Sequence, residues 1–311
     1  MFREEITMKT INKLFALLLS ALLLCACFAC NPKPASAPTS VPAADATDAP
    51  ADAPADPPEN APEDPVVDAG ADGDDWAYIQ DKGTLVIGIT LYAPMNYNDE
   101  SGKLVGFDTE LAETICAELG VTPEFIVIDW ASKELELSSK NIDCIWNGLT
   151  VTEERRQNMD FSDSYLENQQ VIVVRASAVE QFADLGAFDG QVVVAEEESA
   201  GASAIALAMP GADYIALGTQ TDALLEVKAG TAAAAVVDLA MAESMIGAGR
   251  DYDDLAVLDI AMTSEEFAIG FRRGSSATAV FSEALSKLYA DGTVAALAEK
   301  YGITSLLLDK G

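Results

Sequence analysis

Two hydrophobic periods alternate along most of the chain, and each switch between them marks an element. Residues 84–90 (Thr-Leu-Val-Ile-Gly-Ile-Thr) form a nearly unbroken apolar run of strand length. Runs of that kind are buried on both faces of a sheet. Past a turn-rich stretch at 98–102, Leu111, Ile115 and Leu119 recur every four residues. That spacing predicts a helix, with Asp108 as its N-cap and Gly120 as its stop. Strands are expected at 125–128 and 142–146, with a helix at 133–139 between them. Further strands are expected at 170–174, 191–195, 214–217, 233–237 and 267–271. Helices are expected at 199–209, 221–229, 239–247, 277–289 and 294–301. This alternation predicts an α/β fold with mainly parallel sheets. Ligands in such sheets sit beyond the carboxyl ends of strands. Tyr92, Trp130, Gly148, Ser199 and Asp238 all follow an expected strand directly, so they are candidates for a pocket wall.

The first 75 residues read differently. Lys9 and Lys13 precede an apolar run at 14–24, which ends in Cys25, Cys27 and Cys30. A basic stretch followed by a short apolar one is the layout of a targeting segment. The run is too short for a membrane span. Leu24-Cys25-Ala26-Cys27 resembles a bacterial lipobox, with Cys27 as the lipidated residue and Cys25 or Cys30 as the alternatives. Plain secretion with cleavage nearby is the competing reading. Residues 31–75 are rich in Pro, Ala and Asp, with eleven acids and one lysine, Lys33. Such a segment buries too little apolar surface to offset its ordering entropy. The expected organisation is therefore a signal peptide with lipobox at 1–30, a disordered linker at 31–75 and a folded head.

Charge and composition narrow the chemistry. The 311 residues hold 51 acids against 18 lysines and arginines, a net charge of -33. Nucleic acids and anionic lipid surfaces are thus poor partners. There is no histidine, which excludes Ser-His-Asp and Cys-His machinery and leaves little for zinc. No cofactor or metal is expected. Cys116 and Cys144 sit in apolar patterns and read as buried hydrophobes; spacing alone neither proves nor excludes a disulfide between them.

The densest candidate chemistry runs from Gly148 to Tyr165. Gly148 and Thr150 follow an apolar strand, where main-chain N–H groups are available to an anion. Arg155 adds a planar fork that grips a carboxylate with two bonds. Anion capture by backbone and Arg without a nearby nucleophile points to binding rather than chemistry. The competing reading of Arg155 is a solvated helix charge or an ion pair, a part that Arg156 also suits.

The head resembles the family 3 solute-binding proteins that feed polar amino acids to ABC importers. The residues that carry the likeness are Tyr92-Ala93-Pro94, Gly106-Phe107-Asp108, Asp129-Trp130, Asn141-Ile142-Asp143, the 148–155 segment, Asp160-Phe161-Ser162 and Val236-Val237-Asp238. None is specific alone; their order and spacing together are. The resemblance implies a two-lobed periplasmic-binding-protein-like (type II) fold with two hinge strands. Lobe 1 would take 76–169 plus 265–311, and lobe 2 would take 170–264. It places the ligand carboxylate on Gly148, Thr150, Arg155, Ser199 and Ala200. The ammonium falls to Asp238 and Gly148, and the side-chain walls to Tyr92, Trp130, Trp146, Asn147 and Glu196. Asp238 also reads as the N-cap of the helix from Leu239, and both parts are compatible, while Trp146 reads equally as core. Relatives commonly carry Gly-Ser-Ser or Gly-Thr-Thr where this chain has Glu196-Glu197-Glu198-Ser199-Ala200-Gly201. Glu198 in place of the usual glycine leaves that loop's conformation open. Glu196 would favour a cationic side chain or hydrogen-bond donors, unless all three glutamates are a solvated turn. The implied partners are an amino acid, an ABC permease and the membrane through the lipid anchor, with the protein itself a monomer. Two other functions fit the same fold. One is a dehydratase of the arogenate or prephenate type, with Glu196 as its acid. The other is a sensor input domain, which no transmembrane or signalling segment in this sequence supports.

Overall fold

The computed structural model describes residues 74–260 and 262–309, all within one compact unit. The targeting segment, the lipobox with Cys27 and almost all of the 31–75 linker lie outside the described residues.

Two five-stranded sheets share one plan. In the first, Thr84–Ile89 lies between the parallel strands Thr122–Val127 and Cys144–Ile145. Gly270–Arg272 then joins antiparallel, followed by Met159–Phe161. In the second, Val192–Glu196 lies between the parallel strands Asp213–Leu217 and Ala234–Asp238. Gln170–Arg175 joins antiparallel, followed by Leu255–Val257. Each sheet is thus mixed: two of its four pairings are parallel and two antiparallel, because one strand, Gly270–Arg272 or Gln170–Arg175, runs against the other four, where the alternation suggested mainly parallel sheets. The strands that period counting passes over, Met159–Phe161 and Leu255–Val257, are only three residues long.

The sheets define two lobes, and the chain crosses between them twice. The crossings pair with each other: Leu166–Asn168 runs antiparallel to Glu265–Phe267, with Asn168 opposite Glu265. The apolar run expected as one strand at 267–271 is therefore two. One belongs to the crossing and the other to the first sheet, with Ala268 and Ile269 between them.

The first lobe packs around aromatic rings. Trp146 meets Phe281 edge-on with centroids 6.1 Å apart, and Tyr165 at 6.4 Å. Phe271 packs on Phe281 at 5.2 Å. A buried ionic anchor ties the N-terminal helix to this sheet. Asp143 accepts from Lys82 Nζ at 2.5 Å and Val86 N at 2.7 Å, and Arg272 bridges to Asp75 at 2.9 Å. The second lobe's core is mostly valine, isoleucine and alanine, with one stacked pair, Phe182 and Phe188, at 4.6 Å.

Helix Phe107–Leu119 begins one residue before the expected cap. Its N-cap is Gly106, where a Cβ would stand 2.1 Å from Met95 O. Asp108 caps nothing, because its carboxylate is committed elsewhere. Gly120 does stop this helix, in the left-handed region. Ser199 caps Ala200–Ala208 as expected, its Oγ accepting Ala202 N–H at 3.0 Å.

Candidate functional site

Among the described residues, a cavity lies between the lobes. Its walls are the carboxyl ends of parallel strands from both sheets. The first lobe contributes Tyr92, Trp130, Asn147, Gly148, Thr150 and Arg155. The second contributes Glu196, Ser199, Ala200, Gly201, Gln220 and Asp238, with Gln170 at the start of its own strand.

Arg155 is the dominant charge. It is buried, and its guanidinium donates to two main-chain carbonyls: Thr150 O at 2.8 Å and Glu198 O at 3.2 Å, the latter from the opposite lobe. Among the described residues it has no carboxylate partner. A buried cation without a counter-ion is expensive, so the position calls for an anion. Facing it, the first N–H groups of helix Ala200–Ala208 are free of side-chain caps, since Ser199 Oγ takes the Ala202 N–H. Helix N-termini attract anions through those N–H groups and the dipole. Thr150 N–H is also unpaired, while its hydroxyl donates to Glu265 at 3.1 Å.

Gly148 plays a different part from the one expected. Its φ of 55° is left-handed, and a Cβ would stand 1.9 Å from Tyr92 Oη, so only glycine fits. Its N–H donates to Asp108 Oδ2 at 2.7 Å and is closed to a ligand carboxylate. Only its carbonyl is left, which suits an ammonium. Asp108 also accepts from Tyr165 Oη at 3.0 Å. Burial pushes the Asp108 carboxyl up to about 7, against the pull of the Gly148 N–H and the Tyr165 hydroxyl.

Asp238 ends its strand at an N-cap position but caps nothing with its side chain. Nor is it unpartnered, as its place after an apolar strand suggested. Oδ1 accepts from Asn168 Nδ2 at 2.8 Å and Gln170 Nε2 at 2.7 Å, and Oδ2 accepts from Gln220 Nε2 at 2.5 Å. All three donors are neutral amides, so the carboxylate is hydrogen-bonded yet carries no counter-charge. Glu265 shares two of them, Gln170 at 3.0 Å and Asn168 at 3.3 Å. Burial, then the Glu265 charge, raises Asp238 to about 6.

The three glutamates separate. Glu197 and Glu198 are exposed, whereas Glu196 is buried against the cavity. Its carboxyl makes no hydrogen bond, and Oε1 is wholly enclosed without a partner. Burial, with Asp238 adding, pushes Glu196 up to about 8; Lys133 and Arg155 oppose the shift. Glu198 takes the left-handed conformation that glycine usually supplies, with φ 55°.

Trp146 is not a wall. It is wholly buried in the first lobe's aromatic core and lines no part of the cavity. Asn147 lines the cavity but spends its amide on Thr90 and Asn96. Gln170 and Gln220 were not anticipated, whereas Gly201, in the loop whose N–H groups were expected to face a carboxylate, does line the cavity. A lone glutamine at a strand or helix start carries no periodic signal, and only the fold brings these beside Asp238. Cys116 and Cys144 are both buried and free, and the described residues hold no cluster of metal-binding side chains.

Residues 85–304 match the model of bacterial extracellular solute-binding proteins, family 3. The chain belongs to this family. L-cystine-binding protein TcyA of Bacillus subtilis is 29% identical over 256 residues, covering 75% of this chain and 87% of that relative. A mutant of ArgBP from T. maritima superposes with a TM-score of 0.69 at 30% identity, covering 73% of this chain and 99% of that one. The ancestral amino acid-binding protein AncCDT-1, a precursor of cyclohexadienyl dehydratase, gives 0.67 at 28% identity, covering 72% and 98%. Other members similar to this chain are amino-acid-binding proteins of ABC transporters. In this family 3 solute-binding protein, the cavity between two lobes lies where a ligand would bridge them.

Proposed function

We propose that this protein captures a polar amino acid outside the cytoplasm and delivers it to an ABC importer. One observation carries the reading: Arg155 is buried with only carbonyl partners, opposite a free helix N-terminus on the other lobe. The α-carboxylate would take Arg155, Thr150 N–H and the N–H groups of Ala200 and Gly201. The α-ammonium would take Asp238 and the Gly148 carbonyl, displacing an amide donor. Tyr92 and Trp130 would wall the side chain, and Glu196 would meet its far end. An enclosed carboxyl oxygen with no donor favours a side chain that ends in N–H groups, so cationic and amide side chains lead. Binding both α-groups ties the lobes together and selects the closed form.

The N-terminal segment would anchor the head through lipid on Cys27, with residues 31–75 as a tether. Lobe boundaries near 169/170 and 264/265 complete this organisation, and the protein would act as a monomer. The test is calorimetric titration of ligand-stripped protein with the twenty amino acids and cystine, beside Arg155→Ala. Tight binding of one or a few, lost in the variant, is the expected result; silence across the panel sinks the reading.

One observation favours a second reading. An acid held neutral at physiological pH, such as Glu196 at about 8, is what a general acid needs. Turnover of prephenate or arogenate, abolished by Glu196→Gln, would replace binding with catalysis.

A further inference from the structure

Lys133 opens helix Lys133–Ser138 on the first lobe and stands outside the cavity lining. Its side chain is nonetheless buried, with 3% of its surface exposed. The ammonium donates to Trp130 O at 3.2 Å within its own lobe, and to Glu198 O at 3.0 Å across the cleft. It also lies 5.0 Å from the Trp130 ring centre. No described acid forms a salt bridge with it. Arg155 Nη2 reaches the same Glu198 carbonyl at 3.2 Å. Two buried cations of one lobe thus converge on one main-chain oxygen of the other. That oxygen belongs to a non-glycine residue held at φ 55°, a conformation that costs about 1 kcal/mol or more. Glu198 immediately precedes Ser199, the cap of the helix whose N–H groups face Arg155.

We propose that Lys133 is a positioning residue that holds the lobes closed through the Glu198 carbonyl, and so sets the anion-facing helix end against Arg155 before any ligand arrives. The inference rests on the two-lobed binding reading but not on which ligand is bound. Three features support it. Lys133 stands outside the cavity lining, it spans the cleft, and its cleft partner is a strained turn. Burial and the neighbouring Arg155 charge push Lys133 down to about 8, so a neutral pH keeps it cationic in the main. The groups facing it are Arg155, Glu134, Glu196 and Glu198.

The experiment compares Lys133→Met, which keeps the stem and removes the ammonium, with Glu198→Gly, which keeps the carbonyl and removes the left-handed cost. Ligand-free protein is measured by small-angle scattering, then titrated with L-arginine, L-glutamine, L-histidine and L-cystine. Lys133→Met should expand the ligand-free protein. If its closed fraction falls tenfold, every ligand that binds should weaken by about the same factor, with rank order unchanged. Glu198→Gly should stay as compact as wild type and bind at least as tightly. Wild-type scattering in Lys133→Met overturns the proposal. A changed rank order also overturns it, because Lys133 would then touch the ligand side chain. If no amino acid binds the wild type, the functional reading fails, while the scattering comparison still decides the latch.

Discussion

The two lobes share a sheet plan and differ in what they bring to the cleft. The first offers buried cations, Arg155 and Lys133; the second offers buried acids, Glu196 and Asp238, with a positive helix end beside them. Neither set is neutralised within its own lobe. A zwitterion laid across the cleft satisfies both at once, whereas a simple anion or cation satisfies one. The lobes also differ in how they are held. The first carries aromatic rings and a buried ionic anchor, while the described ion pair of the second, Lys228 with Asp254, is largely exposed.

The largest expected effect attacks that second difference. Asp143→Ala removes the buried acid that Lys82, Val86 N–H and Arg272 share, leaving Arg272 only Asp75, and should cost about 3–5 kcal/mol of stability. Denaturant unfolding followed by Trp fluorescence should show it, with the second lobe's secondary structure less affected in hydrogen exchange. Arg155→Ala should weaken ligand binding by about 2–5 kcal/mol, on the order of a hundredfold or more, and calorimetry reads it directly. Asp238→Asn would turn an amide toward three amide donors. It should lose binding and destabilise the fold by about 1–3 kcal/mol, measured by titration and melting together.

Glu196→Gln sharpens the comparison through pH. Burial raises Glu196 above its unfolded value, so the folded protein holds the proton more tightly than the unfolded chain. That contribution to stability is fully present below the unfolded value near 4.5 and is lost as pH climbs through about 8. Asp108 at about 7 and Asp238 at about 6 act in the same direction. Ligand-free protein should therefore melt lower at pH 8 than at pH 5. The Gln variant should flatten that slope and gain about 2–4 °C at pH 8, read by calorimetric scanning. A cationic ligand would need Glu196 ionised, so its affinity should rise from pH 6 to pH 8 in wild type and not in the variant. The smallest effect is Glu198→Gly, which should stabilise by about 1 kcal/mol by removing the left-handed cost. A loss of stability there would mean that the side chain supports the turn.

Much of the site was legible because a strand end followed by a helix start leaves a mark in sequence. Gly148, Thr150, Arg155, Ser199 and Asp238 all stand at such junctions, and the fold brings them around one cavity. What sequence could not show was how each polar group spends its bonds. The Gly148 N–H is taken by Asp108, a residue forty positions away that reads locally as a helix cap. The amide cage around Asp238 joins Asn168, Gln170 and Gln220 from three elements. Trp146 and Asn147 are neighbours just past a strand of two residues, too short for alternation to tell the core side chain from the cavity one. Lys133 looked like any charge on a short helix, because its partner belongs to the other lobe.

Asn168 and Glu265, where the chain leaves the first sheet and returns to it, stand opposite each other on one ladder. Topologically, the second lobe is an insertion whose two ends meet. A segment of that kind is an exchangeable cassette: a relative's second lobe could be spliced between these positions without altering the first lobe's sheet order. The carboxylate grip of Arg155 would stay with the host, while the acid at Glu196 would travel with the insert. Change of cargo could then be had by recombination at two sites rather than by remodelling the whole cleft.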